Sequence, residues 1–459
     1  MKMKICFALL AVAACSVACG GNPVVSGVTL SQNPTNLGVT VEYALSGGPA
    51  IVTVDFLTNG VSIGATNLRN VGGDVNTYVA VGAAKRIYWP CDSDWPGRFI
   101  DDGSLTADVK AWPLDDPPDY MVCDLETTND VSFYVSEAAL PLEVTNALYK
   151  TTKLVMRRIH AANVTWCMGS PSAVLEKGCT QTENEDVSIP HMVTLTEDYY
   201  IGVFEVTQRQ YYFITGGGYY VSGSNAASNG GQSPSEMTAI HAYVTAAAVP
   251  MRPVETVCYN DLRGSDYDWP VDRHAVAPNS AFGKLRALTG IGSFDLPTEA
   301  QWEYACRAGT CTGLNSGKEV TTTGDAKCAN AGEVGWYGGN PNNPYGNAQK
   351  APHPVGMLQP NRWGLYDMHG NIFELCLDYY SEGADYKATF ATGWQSGEPT
   401  IDPTGPTSGT YTVYRGGNWY NAPRFMRSSR RYASSQNNLT RAYKSKQYGF
   451  RLVCRANFK

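Results

Sequence analysis

The residues able to carry redox or metal chemistry in this 459-residue chain are thirteen cysteines and six histidines, and their spacing narrows what they can do. No Cys-x-x-Cys occurs, which argues against a zinc ribbon or a thioredoxin-type dithiol. The histidines, at 160, 191, 241, 274, 353 and 369, include no pair at helical ligand spacing. Acyl transfer has no local support, because no Gly-x-Ser-x-Gly elbow is present. Gly216-Gly217-Gly218 is not followed by the Lys-Ser/Thr that a phosphate cradle requires. The strongest charge feature is C-terminal. From Val413 to Lys459 there are eleven Lys/Arg and no Asp/Glu, in a chain whose formal net charge is −7. Such a run either forms an anion-binding face or supplies arginines that pair with carboxylates from earlier in the chain. The acidic balance of the whole chain offers no footprint for nucleic acid.

Charged residues are only 17% of the chain, while 46 Gly, 28 Tyr and 10 Trp are used, a profile of a loop-rich, aromatic-rich exported fold and not of a disordered chain or coiled coil. Lys2 and Lys4 precede an apolar run, Ile5 to Ala14, too short to span a bilayer, and small residues follow up to Ala18-Cys19-Gly20-Gly21. Residues 1–19 therefore read as a secretory signal peptide, with Cys15 and Cys19 both placed to accept a lipid and a plain cut after Ala18 as the alternative. Export to a bacterial periplasm, outer membrane or exterior is expected, with membrane contact only through that anchor. Setting aside Cys6, Cys15 and Cys19 leaves ten cysteines, and an even number in an oxidising compartment favours disulfides. Cys91–Cys123 within the first domain and Cys167–Cys179 across a short loop are the expected pairs.

The elements that would position these residues fall into two parts. Residues 24–138 read as an all-β immunoglobulin- or fibronectin-like sandwich: Val39 to Leu45, Ile51 to Phe56 and Leu105 to Trp112 alternate apolar and polar, with turns at Asn59-Gly60, Gly72-Gly73 and Asp102-Gly103. Its expected role is spacer or docking domain. A linker covers 139–152, and the character changes over 153–459, where few helices mix with strand-like pieces and Gly/Asn/Pro loops. One helix is expected after Thr207, another over Glu299–Ala305 after the Pro297-Thr298 start, with Gly309 beyond its end. Trp302, Trp336 and Trp363 are expected in the core.

Several segments of this second part occur in a recognisable order: Met168-Gly169-Ser170, Tyr200-Ile201-Gly202-Val203-Phe204-Glu205-Val206-Thr207, Pro253-Val254-Glu255, Leu296-Pro297-Thr298-Glu299-Ala300-Gln301-Trp302-Glu303, Gly364-Leu365-Tyr366-Asp367-Met368-His369-Gly370-Asn371-Ile372-Phe373-Glu374, Arg415-Gly416-Gly417-Asn418-Trp419 and Gly449-Phe450-Arg451. Together they resemble the formylglycine-generating enzyme (sulfatase-modifying factor) family. The resemblance implies an α+β, C-type-lectin-like domain with little regular secondary structure, bound calcium and a long loop-built surface.

It also implies an activity, oxidation of a substrate cysteine to formylglycine with copper held by two cysteines after the Arg-Gly-Gly segment. Aligned residue by residue those positions fall on Met426 and Arg431, and no cysteine lies between Cys376 and Cys454, so copper is not expected. The family's iron-dependent sulfoxide-forming branch needs a histidine-rich site that the scattered histidines do not provide. The calcium sites transfer better. Asp367 and Glu374 would give side-chain oxygens and Gly370 and Ile372 carbonyls to one ion; Asn330, Ala331, Asn347 and Gln349 would form a weaker second site, since the family has Asp where Asn347 stands. The expectation is a calcium-stabilised, non-catalytic module that binds glycans or peptides, preferably anionic, through Trp419, Tyr420, Arg424, Phe425, Arg427 and Arg430. The alternative is a divergent formylglycine-generating oxidase with an exported sulfatase as its partner.

Overall fold

The computed structural model describes residues 21–100, 103–169, 190–216, 235, 248–321, 327–338, 351–381, 398–432 and 440–459. The chain divides into two compact units, Met1–Leu114 and Asp115–Lys459.

In the first unit β1 (Val24–Gln32), β2 (Val39–Ser46), β3 (Ala50–Thr58), β4 (Thr77–Val79), β5 (Gly82–Trp89) and β6 (Leu105–Trp112) form two antiparallel sheets. One runs β1–β2–β5 and is extended by Gly72–Gly73; in the other β3 pairs with Val61–Ser62, β4 and β6. The alternation along β2 is the cause of its packing. Val39, Val41, Tyr43 and Leu45 face inward and meet Val52, Phe56 and Val109 of the second sheet around Trp89. Phe56 and Trp89 lie 4.8 Å apart between ring centres.

The boundary lies earlier than the expected residue 138. β7 (Tyr120–Asp124) and β8 (Val131–Tyr134) pair into a sheet of the second unit, in the order β8–β7–β9–β12–β16, with β9 at Lys153–Ile159, β12 at Tyr199–Gly202 and β16 at Val453–Arg455. Met121 sits opposite Met156 in this ladder, so residues 120–134 supply two of its strands. β10 (Val164–Met168) and β11 (His191–Leu195) form a second small sheet with Thr400–Ile401, and β13 (Phe373–Tyr379) lies between β14 (Thr412–Arg415) and β15 (Tyr448–Gly449). This is a mixed α/β unit, rich in short strands.

Its helices are short and begin where local chemistry dictates. Thr207 caps α1 (Gln208–Thr215): its hydroxyl accepts from Gln210 N, and the Gln210 side chain accepts from Thr207 N in return. After α2 (Tyr259–Arg263) and α3 (Ala281–Thr289), the same reciprocal pair, Thr298 and Gln301, starts α4 (Glu299–Arg307). The left-handed residue ending α4 is Ala308 at φ 45°, one position before Gly309. α5 covers Ala329–Val334. The main core of the unit gathers Trp302, Ala305, Ile159, Val193, Ile201, Leu365, Met368 and Val413.

The cysteine pairing differs from expectation. Cys91 and Cys123 are both free thiols and fall in different units; the Cys91 Sγ lies 3.9 Å from Arg98 O. Cys167 is free, and Cys179 lies outside the described residues. Alkylation in denaturant without reductant should label Cys91 and Cys123 on separate peptides. A cross-linked Cys91–Cys123 peptide in the mass spectrum is the contrary result.

Candidate functional site

The basic C-terminal segment meets α4. Glu299 and Glu303 stand one turn apart on the buried side of that helix, beside Trp302. Arg415 reaches both, at 2.9 Å and 2.7 Å. Arg431 forks onto Glu299, with Nε at 2.5 Å and Nη2 at 3.0 Å from the two oxygens, and donates to Ser381 O at 2.7 Å. Arg307 closes on Glu303 at 2.7 Å and donates to Gly169 O. Burial alone would raise the Glu303 carboxyl, but Arg307 and Arg415 beside it win and hold it below the usual range. Trp302 links this cluster to a second closed pair. Arg451 binds Glu374 through Nη2 at 2.8 Å and Nε at 3.1 Å, donates to Gly202 O and Tyr366 O, and Trp302 Nε1 donates to Glu374 at 2.7 Å.

The two copper-ligand positions are both internal. Met426 packs with Leu314, Val320, Cys328, Val334 and Tyr337. Its carbonyl accepts from His369 Nδ1 at 2.5 Å, while His369 Nε2 accepts from Asn315 N at 3.0 Å. Burial pushes His369 down to about 4, so the ring is neutral and serves as a fixed donor–acceptor bridge. Arg431 is bound to Glu299. Neither position offers a thiolate, and the pair is built as packing and ion pairing.

Of the expected calcium set, Glu374 is engaged by other groups in the structure. Both of its oxygens are taken by Arg451 and Trp302. Asp367 accepts from Gly356 N at 2.6 Å through Oδ2, whereas its buried Oδ1 has no partner among the described residues. Ile372 N and Asn371 Nδ2 donate instead to Glu205, a buried carboxylate that burial and then Asp367 push well above its ordinary value. Of the carboxylate oxygens in the expected set, only Asp367 Oδ1 is open among the described residues. Asn330 donates to Glu319 O, Ala331 is buried in α5, and Asn347 and Gln349 lie outside the described residues. Among the described residues no cluster of three or more His, Cys, Asp or Glu is arranged to hold a metal.

The expected ligand surface divides. Trp419, Arg427 and Arg430 are only 4%, 1% and 8% exposed. Trp419 donates to Lys446 O and Arg427 to Arg424 O. Tyr420 is 47% exposed. Arg424 and Arg430 flank the half-buried Phe425 ring at 5.0 and 5.1 Å. The accessible part is thus Tyr420 with Arg424 and Phe425. Sequence reading missed Glu205, Glu299 and Glu303 as partners. The available signal was two glutamates at i and i+4 on the helix face shared with the apolar Ala300 and Trp302, away from Gln301.

Two outcomes are expected. Glu374→Ala leaves Arg451 buried and unpaired, and should cost about 3–5 kcal/mol in urea unfolding. The loss should be equal in calcium and in chelator; a chelator effect in wild type that disappears in the variant would return Glu374 to a calcium site. Asp378 accepts from Glu299 N at 2.7 Å, and burial followed by the Glu299 charge raises its carboxyl. The folded state then holds a proton the unfolded chain has lost above about pH 4, so this contribution to stability is full below that pH and falls as pH rises through the raised value. Asp378→Asn keeps the acceptor and should lose less stability than wild type between pH 4 and 8. Parallel curves would remove Asp378 as the cause.

Residues 166–456 match the family model of the sulfatase-modifying factor enzyme 1-like domain. The formylglycine-generating enzyme of Thermomonospora curvata is 37% identical over 126 residues, 27% of this chain and 38% of that protein. The mouse formylglycine-generating enzyme is 29% identical over 284 residues, 58% of this chain and 69% of that one. The chain spans little more than a third of the bacterial relatives' length, 38% for Thermomonospora curvata and 35% for Streptomyces coelicolor. Among solved structures, Treponema denticola variable protein 1 is 22% identical with a TM-score of 0.43, covering 66% of this chain and 96% of that one. PvdO from Pseudomonas aeruginosa is 20% identical with a TM-score of 0.42, covering 66% and 94%. With its ordered segments and the match over 166–456, the chain belongs to the sulfatase-modifying factor enzyme 1-like domain family.

Proposed function

We propose that this chain is an exported, non-catalytic member of its family that binds glycans or peptides, preferably anionic ones. The observation that carries this reading is Arg431. Where an oxidase needs a metal-binding thiolate, this residue forks onto buried Glu299, and its partner position holds Met426 inside an apolar cluster. A guanidinium locked to a carboxylate has neither a lone pair nor room for copper. The first unit, two sheets on one core, is read as an immunoglobulin- or fibronectin-like spacer. Tyr420 supplies an exposed aromatic face, and the Arg424 cation lies against Phe425 beside it. That combination suits a ring-bearing or carboxylate-bearing ligand.

The second reading, an oxidase acting on an exported sulfatase, takes its ground from the relatives named formylglycine-generating enzyme. One experiment separates them. The purified chain, loaded with copper under reducing conditions, is incubated with a sulfatase-derived peptide containing the target cysteine. The peptide should keep its cysteine, and formation of the aldehyde in the mass spectrum would overturn the non-catalytic reading.

A further inference from the structure

A cavity of about 390 Å³ opens in the second unit beside the Tyr199 end of β12, β16 and the first turn of α4, and is closed by residues 269–274 and 402–404. Its volume lies within the range that holds one small ligand. The wall is fixed from outside. Trp269 donates through Nε1 to Thr404 O at 2.9 Å, and its ring lies 5.2 Å from that of His274. His274 Nδ1 lies 3.0 Å from Asp295 Oδ2, and Asp295 is fully buried, held also by Arg263 at 3.0 Å and by Leu296 N at 2.9 Å. In the neutral ring, a carboxylate on Nδ1 makes that nitrogen the donor and leaves Nε2 as the acceptor. The His274 side chain is 31% exposed and lines the cavity.

Arg273 stands next to it in a left-handed conformation, φ 46°, which is costly for a residue with a Cβ. Its backbone is pinned there: N donates to Pro270 O at 3.2 Å, and the carbonyl accepts from Arg263. The exposed guanidinium has no side-chain partner among the described residues. The acidic groups of the lining are engaged. Asp402 accepts from Thr196 N at 2.9 Å and from its hydroxyl at 2.5 Å, Asp198 pairs with Arg158 at 2.7 Å, and Glu197 lies 3.7 Å from Arg455. Of the charged groups in the lining this leaves the Arg273 cation open, with the His274 ring on the adjacent residue.

We propose that this cavity is a binding site for an acidic monosaccharide of the uronate class. The ligand carboxylate takes the Arg273 fork, a ring hydroxyl donates to His274 Nε2, and Trp269 and Pro403 form the apolar wall. A neutral sugar satisfies only the acceptor and leaves the cation unused. The site rests on reading the domain as a binding module, and the two fail separately: a failed titration removes the uronate site alone, whereas aldehyde formation on a sulfatase peptide removes the non-catalytic reading.

The test is calorimetric titration of the full chain with D-glucuronate and with D-glucose. Saturable glucuronate binding is expected, with glucose weaker by about tenfold or more. Arg273→Gln should weaken glucuronate by about tenfold while leaving the melting curve unchanged, since that side chain is exposed. Arg273→Lys keeps the charge and loses the fork, so it should fall between the two. His274→Ala should weaken both sugars. Absence of saturable glucuronate binding by the folded wild type, equal affinity for glucose, or unchanged affinity in Arg273→Gln each overturns the assignment.

Discussion

The second unit depends on two glutamates one turn apart on α4 that gather three arginines out of water. Glu299 and Glu303 bind Arg415 together, and each has one further arginine, Arg431 and Arg307 respectively. Moving such ions into the interior costs several kcal/mol each, recovered only if the geometry is good and the remaining donors find acceptors. Most do: Gly169 O, Ser381 O and Ser428 O take outer guanidinium protons, while Arg415 Nε has no partner among the described residues. The consequence is registry. A helix at 299–307, a strand at 412–415 and the segment up to Arg431 must reach one place together or leave charges stranded, which ties the C-terminal part of the unit to its middle.

This network also explains what became of the basic segment. Its charge was legible in the sequence; its destination was not. Composition shows eleven cations without a local anion, and both an exposed face and internal pairing satisfy that pattern. The deciding partners lie far along the chain, Glu299 132 residues before Arg431 and Glu374 77 residues before Arg451. The features read correctly were local ones. The Thr207 and Thr298 starts followed from a residue type and a spacing of three, and β2 from its alternation. The domain boundary failed for the opposite reason. Residues 120–134 look like strands of either unit, and only their pairing with β9, over thirty residues on in the case of Tyr120 and Arg157, assigns them. The Cys91–Cys123 pairing rested on that same boundary and fell with it.

The segments that identify the family prove to be structural in this chain. Arg415 and Arg451 close the two ion networks. Gly416 and Gly417 have φ of 89° and 77°, and a Cβ on them would meet Trp302 at 3.2 Å and Phe425 at 3.0 Å. Asn371 and Ile372 bind Glu205. Family membership therefore speaks first to how the chain packs, and activity must be argued from the few side chains that scaffold presents.

Those side chains can change while the scaffold stays, because α4 has two faces with separate duties. Glu299 and Glu303 point into the ion network, whereas Thr298 and Gln301 line the cavity, where the Thr298 hydroxyl and Gln301 Oε1 accept each other's backbone N–H as the helix cap. The cap takes both acceptor oxygens, and the charged group left open in the cavity is Arg273, beside His274 on a loop that the network does not hold. Asp295 anchors that loop through Arg263 and His274, and Asp295 itself exchanges backbone hydrogen bonds with Val453 in β16. The loop is thus fixed by an ion cluster of its own. A change in the 419–431 segment, which carries Met426 and Arg431, can leave this second cluster undisturbed, so the chemistry of that segment and the proposed cavity site do not draw on the same residues.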